Sequence, residues 1–137
     1  MRLSLMRFFS VLSMAIIMVS CANRGTPTGG EKDIEPPVIE GTVPENFSTN
    51  FKADEIRIYF DEYVKIKDFR KQLIISPPMD TYPVIYPLGG ASKYISIKIK
   101  DTLQKNTTYA FNFGESIVDN NEGNPYPYYR YVFSTGE

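Results

Sequence analysis

The chain of 137 residues contains no histidine and no tryptophan, and its single cysteine is Cys21. Without an imidazole group, the sequence excludes Ser-His-Asp and Cys-His catalytic pairs and every metal site that depends on histidine. One cysteine also excludes a disulfide within the chain. We therefore expect neither an enzyme nor a protein that depends on a cofactor.

An excess of charge of one sign is also lacking. The chain has 15 basic and 16 acidic residues, for a formal net charge of −1. Proteins that bind nucleic acid normally present a clearly basic face or stripe. The sequence therefore predicts no nucleic-acid partner.

Residues 1–20 form a segment distinct from the rest of the chain. Arg2 and Arg7 are followed by an apolar run over residues 8–19, and the segment contains no acidic residue. A basic start followed by a short apolar run is typical of a secretory signal peptide. The run has about 12 residues, whereas a membrane-spanning helix needs roughly 20. We predict that residues 1–20 are a signal peptide.

The cysteine follows this segment directly. The run Val19-Ser20-Cys21-Ala22 resembles the bacterial lipobox, where signal peptidase II cleaves before a cysteine that receives a diacylglyceryl group. The resemblance implies that Cys21 is a lipid-attachment site, and several acyl chains at ~0.8 kcal/mol per buried CH₂ give lasting anchorage. Two alternatives are an ordinary signal peptide followed by a free thiol and a cysteine buried in a core. We predict a membrane-anchored lipoprotein of the bacterial cell envelope, located at the outer membrane.

Residues 21–37 are rich in glycine, proline, threonine and charge and show no hydrophobic period. This composition predicts a flexible tether. Removal of residues 1–20 would leave 13 basic and 16 acidic residues. Attachment to a membrane would therefore depend on the lipid and not on attraction to anionic headgroups.

From residue 38 to residue 137 the chain alternates between apolar and polar residues, as strands do. The clearest apolar faces are Ile56, Ile58 and Phe60, then Ile95, Ile97 and Ile99, then Tyr109, Phe111 and Phe113. A Gly-Gly pair at residues 89–90 indicates a hairpin. Residues 66–73 hint at a helical turn, but we expect the strand pattern to prevail. About seven strands in a hundred residues predict an all-β, antiparallel sandwich.

Four motifs in order carry a resemblance to a known family: "PPVIEGTVPENFST", "IRIYFDEYVK", "LQKNTTYAFNF" and "IVDNNEGNPYPYYRYVFST". The sequence resembles the bacterial Ig-like domain of the S-layer (SbsA) type over residues 36–135. It departs from the family pattern at Tyr63, where proline is frequent. The resemblance implies an Ig-like β-sandwich that acts as a structural or adhesive domain, and it supplies no catalytic residues.

The loop "DNNEGN", residues 119–124, is the best candidate for a metal site. Asp119, Asn121 and Glu122 offer oxygen ligands of the kind that Ca²⁺ prefers. Asparagine, aspartate and glycine also favour turns, because they tolerate left-handed backbone and cap nearby N–H groups. We favour the turn, with a weak calcium site as the alternative.

Tyr126, Tyr128 and Tyr129, interleaved with prolines, are a candidate aromatic patch for sugar rings. The alternative is that these rings cover one end of the sandwich. The sequence thus predicts a non-enzymatic envelope lipoprotein that presents an Ig-like structural or interaction domain near the membrane. The second hypothesis is a carbohydrate-binding module that uses the Tyr126 to Tyr131 patch. An envelope protein and a glycan are both candidate partners, and the chain fits either a complete protein or the first module of a longer one.

Overall fold

In a computed structural model, the residues described are 2–17, 25 and 29–137. They divide into two compact units, Met1–Glu31 and Lys32–Glu137. The first unit contains helix α1 (Arg2–Ile17). Among the described residues, no helix combines the length and the hydrophobicity needed to cross a membrane.

The second unit is built from eight strands and one short helix. In chain order they are β1 (Ile39–Val43), β2 (Glu55–Ile66), α2 (Phe69–Gln72), β3 (Ile74–Ser76), β4 (Val84–Tyr86), β5 (Ser92–Lys98), β6 (Thr108–Asn112), β7 (Ile117–Asp119) and β8 (Arg130–Ser134). One sheet has the order β1-β2-β5-β4, with β7 also paired to β2, and the other has the order β3-β6-β8. All the pairings between these strands are antiparallel.

Strand β2 is the longest strand, with 12 residues, and it organises the larger sheet. Its first half pairs with β1 on one side and with β5 on the other, where Ile56 lies opposite Ile97 and Ile58 opposite Ile95. The register shifts after Tyr59, and the last residues of β2 pair with β7. One strand therefore connects both ends of the sheet.

The core between the two sheets is aromatic at its centre. The ring of Phe133 in β8 stacks on Phe51 with 3.8 Å between centroids, and it lies 5.4 Å from Tyr109 and 6.1 Å from Phe111. Isoleucines from β2 and β5 cover this cluster from the other sheet. The cluster also retains the segment before β2, because Phe51 belongs to it.

The predicted fold class, an Ig-like antiparallel β-sandwich, is confirmed. The differences are local. Strand β2 continues five residues beyond Asp61, where the apolar alternation is interrupted by charge. Strand β7 is a three-residue strand that alternation cannot reveal, since all three of its residues are buried. The helical turn set aside in favour of strands exists as α2.

Replacement of Phe133 tests the aromatic core. We expect Phe133→Ala to lower the free energy of unfolding by about 3–5 kcal/mol, because it leaves a cavity among the aromatic rings that surround Phe133. Phe133→Leu, which retains most of the volume, should cost clearly less. Ile74→Ala is the surface control, since Ile74 is 64% exposed. Urea titrations that gave equal losses for Phe133→Ala and Ile74→Ala would contradict this assignment.

Candidate functional sites

Cys21, the predicted lipid-attachment residue, lies outside the described residues. Helix α1 ends at Ile17, four positions before it, and has no acidic residue in its first turn. In this helix Leu3, Leu5 and Met6 are between 64% and 72% exposed. Lipid attachment at Cys21 stays a prediction.

Asp119 directs its buried carboxylate into the loop that follows it. Oδ1 accepts hydrogen bonds from the backbone N–H groups of Asn121, Glu122 and Gly123 at 2.8, 2.7 and 3.0 Å, and Oδ2 accepts one from Asn124 at 2.8 Å. Gly123 has a positive φ of 79°, which closes the turn. The carboxylate therefore caps four consecutive backbone donors.

These hydrogen bonds decide the ionisation of Asp119. Burial works to raise the pKa of its carboxyl group, but the four N–H donors outweigh burial and hold that pKa below its ordinary value. A carboxylate offers about four lone-pair sites, so the backbone donors leave little capacity for a cation. In the described part of the chain, no cluster of three or more acidic, histidine or cysteine side chains is placed to hold a metal ion. The geometry favours the turn over the calcium site.

Asn124 connects this loop to the segment before β1. Its Nδ2 donates to the backbone carbonyls of Asp33 at 3.1 Å and Glu35 at 3.2 Å. A few residues later, the N–H of Val38 donates to Oδ1 of Asp61 at 2.8 Å. The last part of the predicted tether, from Asp33 onward, therefore contacts the sandwich.

Glu62 lies within β2 and is half-buried, whereas Asp61 is exposed. Its pKa is raised, first by burial and then by the neighbouring carboxylates of Asp119, Asp61, Asp33 and Glu122. The ionised form of Glu62 is therefore less favourable in the folded chain than in the unfolded chain. At neutral pH its charge therefore opposes folding.

The tyrosines of the predicted aromatic patch do not form one exposed surface. Tyr126 and Tyr129 meet edge to face with 5.8 Å between centroids and pack against the core, and burial raises the pKa of Tyr129 to about 12. Tyr131 lies inside the core, where its hydroxyl donates to the carbonyl of Pro44 at 2.8 Å. Tyr128 is 69% exposed. Of the predicted patch, Tyr128 is the exposed residue, whereas Tyr126 and Tyr129 are half-buried.

A groove that the sequence analysis did not identify lies on the outer face of the larger sheet. It has a volume of about 360 Å³. It is lined by Glu55 and Arg57 of β2, by Tyr94, Ser96 and Lys98 of β5, and by Val84 and Tyr86 of β4. We call it the tyrosine groove.

Tyr94 is at the centre of the contacts in the tyrosine groove. Its ring lies 5.5 Å from that of Tyr86 and 6.0 Å from that of Tyr59 between centroids, with planes tilted by 34° and 43°. The guanidinium carbon of Arg57 lies 5.8 Å from the centroid of Tyr94. The three rings therefore form an aromatic row, of which Tyr86 and Tyr94 line the groove.

Glu55 holds the polar side of the groove in place. Its Oε2 forms an ion pair of 3.1 Å with Nη2 of Arg57, and its Oε1 accepts a hydrogen bond from the hydroxyl of Ser96. The bond from Ser96, followed by that from Arg57, lowers the pKa of Glu55. The carboxylate therefore stays charged and keeps Arg57 beside Tyr94.

A signal for this groove was present in the sequence. The alternation that places Ile58 in the core also places Arg57 and Tyr59 on the outer face of β2. Alternation alone does not predict the register between two strands. In the structure, that register sets Tyr59 opposite Tyr94 and Arg57 opposite Ser96.

Two antiparallel sheets packed on a common aromatic core define the class of this domain as an immunoglobulin-like β-sandwich. The family model described as bacterial Ig-like domain matches residues 33–135, and the chain belongs to this family. Domains of the family are generally non-enzymatic and structural, and the match identifies no catalytic family.

Two solved structures are similar to the chain. The methionine-rich copper resistance protein PcoC of Escherichia coli is 17% identical with a TM-score of 0.46, over 73% of this chain and 98% of PcoC. The N-terminal part of the bacterial S-layer protein SbsC is also 17% identical with a TM-score of 0.46, over 74% of this chain and 24% of the other. No curated protein sequence matches the chain.

Replacement of Asp119 tests the loop. We expect Asp119→Ala to lower the free energy of unfolding by about 2–3 kcal/mol at pH 7, because four backbone donors lose a charged acceptor. Since the folded-state pKa is lowered, this contribution is present above the unfolded pKa near 3.8 and is lost as the pH falls through the folded value. Glu122→Ala is the control in the same loop, because Glu122 contributes its backbone N–H. Equal unfolding midpoints for the two variants at pH 7 would refute the capping role.

Glu62 gives a pH dependence of opposite sign. Because its folded-state pKa is raised, ionisation of Glu62 destabilises the fold at neutral pH. We expect Glu62→Gln to raise the unfolding temperature at pH 7 and to have no such effect below the ordinary pKa of about 4. Glu40→Gln, at an exposed carboxylate of β1 that is not among these neighbours, controls for the removal of one charge. Thermal unfolding followed by circular dichroism from pH 3 to pH 7 measures the unfolding temperatures of both variants. A gain from Glu62→Gln that did not vary with pH would exclude the electrostatic cause.

Proposed function

We propose that this chain is a lipoprotein of the bacterial cell envelope, anchored in the outer membrane through a lipid on Cys21. It presents an Ig-like domain close to the membrane as a non-enzymatic structural or interaction module. Its partners are the membrane, through the lipid, and an envelope protein or a glycan, through the domain.

The observation that carries this proposal is the order of three features along the chain. An apolar helix with no acidic residue comes first, a single cysteine in a lipobox-like setting follows, and a domain of the bacterial Ig-like family comes last. The 16 residues of helix α1 are fewer than the roughly 20 that a spanning helix needs. A lipid on Cys21 would supply the proposed anchor.

The contacts of Asn124 support a position close to the membrane. Because the backbone carbonyls of Asp33 and Glu35 are bonded to the sandwich, eleven residues, 22–32, separate Cys21 from the first of these positions. If they form the flexible tether that their composition predicts, its mean reach is about 18 Å, at 5–6 Å × √n. The proposed anchor on Cys21 would then hold the domain close to the membrane.

The alternative function is glycan binding by Tyr126, Tyr128 and Tyr129. It has less support, because Tyr126 and Tyr129 are packed against the core. A single exposed ring at Tyr128 offers too little surface for a sugar chain.

Fatty-acid labelling tests the anchor directly. We expect the wild-type chain, expressed at full length in a Gram-negative host, to incorporate an alkyne fatty acid and to partition into detergent. Cys21→Ala should lose the label, because the thiol is the only acceptor for the diacylglyceryl group. The mass of the N-terminal peptide reports cleavage before residue 21.

Ser20→Ala is the matched control, since it keeps a small residue before the cysteine and should keep the label. Both variants should show the same thermal unfolding, because residues 20 and 21 precede the sandwich. Incorporation of the fatty acid by Cys21→Ala would refute the anchor at this position.

A further inference from the structure

We propose that the tyrosine groove binds a neutral carbohydrate chain. This inference goes beyond the anchored structural module proposed above and does not depend on the lipid at Cys21.

The first argument is the aromatic row. A pyranose ring has an apolar face of C–H groups, and that face packs on an aromatic ring. Tyr86 is 47% exposed and Tyr94 is half-buried, and both rings line the groove with 5.5 Å between their centroids. Tyr59, which is half-buried and 6.0 Å from Tyr94, continues the row beyond the lining of the groove. Tyrosine also contributes a hydroxyl group that hydrogen-bonds at the edge of such a contact.

The second argument is the polar side of the groove. Sugar hydroxyl groups both donate and accept, so a sugar site needs fixed donors beside fixed acceptors. Arg57 supplies planar N–H donors, and Glu55 supplies acceptor oxygens that Ser96 and Arg57 already hold in position. Groups fixed before binding lose little conformational freedom when the ligand arrives.

The third argument is charge. The groove contains one carboxylate, Glu55, and two cations, Arg57 and Lys98, and Arg57 is paired with Glu55. The remaining positive charge of the groove is too small to select a polyanion, because binding of a polyanion needs several unpaired cations. Glutamate, serine and lysine, which protein interfaces contain less often than the rest of the surface, supply three of the seven lining residues. A neutral, hydroxyl-rich ligand complements this surface best.

The edge of the sheet disfavours a peptide as the ligand. Strand β4, at the edge, has three residues and is preceded by Pro83 and followed by Pro87. Proline has no N–H to donate, so an added strand would find few backbone partners. The volume of about 360 Å³ lies at the lower end of the range for small-ligand sites, 300–1,000 Å³. That size fits a short stretch of a sugar chain.

Binding to an array of neutral hexasaccharides of glucose, mannose, xylose and galactose tests the proposal, with polygalacturonate as the acidic comparison. The full-length chain, purified in detergent, should bind at least one neutral hexasaccharide and should bind polygalacturonate less well. For the hexasaccharide bound, we expect Tyr94→Ala and Tyr86→Ala each to lower the affinity at least about tenfold in titration calorimetry. Tyr94→Phe, which keeps the ring, should lower it less.

Tyr63→Ala is the matched control. Tyr63 is an exposed tyrosine of the same strand β2, and Lys93 lies over its ring at 5.9 Å, as Arg57 does over Tyr94, but it lies outside the groove. Thermal unfolding of every variant separates loss of binding from loss of fold. If Tyr94→Ala does not fold, Tyr86→Ala and Arg57→Ala carry the test, because both residues are exposed.

Three outcomes would overturn the proposal. The first is no binding of any neutral hexasaccharide. The second is binding that survives Tyr94→Ala and Tyr86→Ala in folded protein. The third is an equal loss in Tyr128→Ala, which would place the sugar at the other aromatic patch. None of these outcomes affects the lipid label, so failure of the groove and failure of the anchor are distinguishable.

Discussion

Alternation along β2 and β5 is the constraint on which the rest of the structure depends. Successive side chains of a strand point to opposite faces, so burial of Ile58 places Arg57 and Tyr59 on the outer surface. Burial of Ile95 in β5 does the same for Tyr94, which pairs with Tyr59. A slip of one residue would exchange the two faces along a whole strand. The core packing that fixes the register of β2 and β5 therefore also fixes the geometry of the tyrosine groove.

The surroundings of two carboxylates at the other end of the sheet, Asp119 and Glu62, have opposite effects on their ionisation. Asp119 is satisfied by four backbone donors, and its charge stabilises the loop. Glu62 is half-buried and lies near the charge of Asp119, so its ionised form is less favourable than in the unfolded chain. The two groups are coupled, because the charge that closes the loop is also one of the charges that raise the pKa of Glu62.

The sequence was sufficient for the fold class, because strong alternation in Ile56–Phe60 and in the β5 and β6 runs leaves few other solutions. It was not sufficient for features that depend on pairing between distant segments. The burial of Tyr126 and Tyr129 depends on their packing with each other and with the core, and the contact between Asn124 and Asp33 joins residues 91 positions apart. The sequence did not reveal the groove for the same reason, since its residues come from different strands and the register between those strands cannot be read from the sequence.

Strand β2 contacts the incoming chain and also lines the tyrosine groove. The bond from the N–H of Val38 to Asp61 places the incoming chain at the middle of β2, and the tyrosine groove lies toward the start of that strand. From Asp61 to Arg57 the strand rises about 13 Å, at roughly 3.3 Å per residue. The entry of the chain and the tyrosine groove therefore lie at different points along the same strand.

A single shallow site of this kind binds weakly, because little of the ligand is enclosed. Many copies anchored in one membrane would engage one sugar chain together. The second contact would then be intramolecular, which strengthens the overall binding without any new contact at each groove. Under the two proposals, the anchor would supply the multivalency that a single shallow groove lacks.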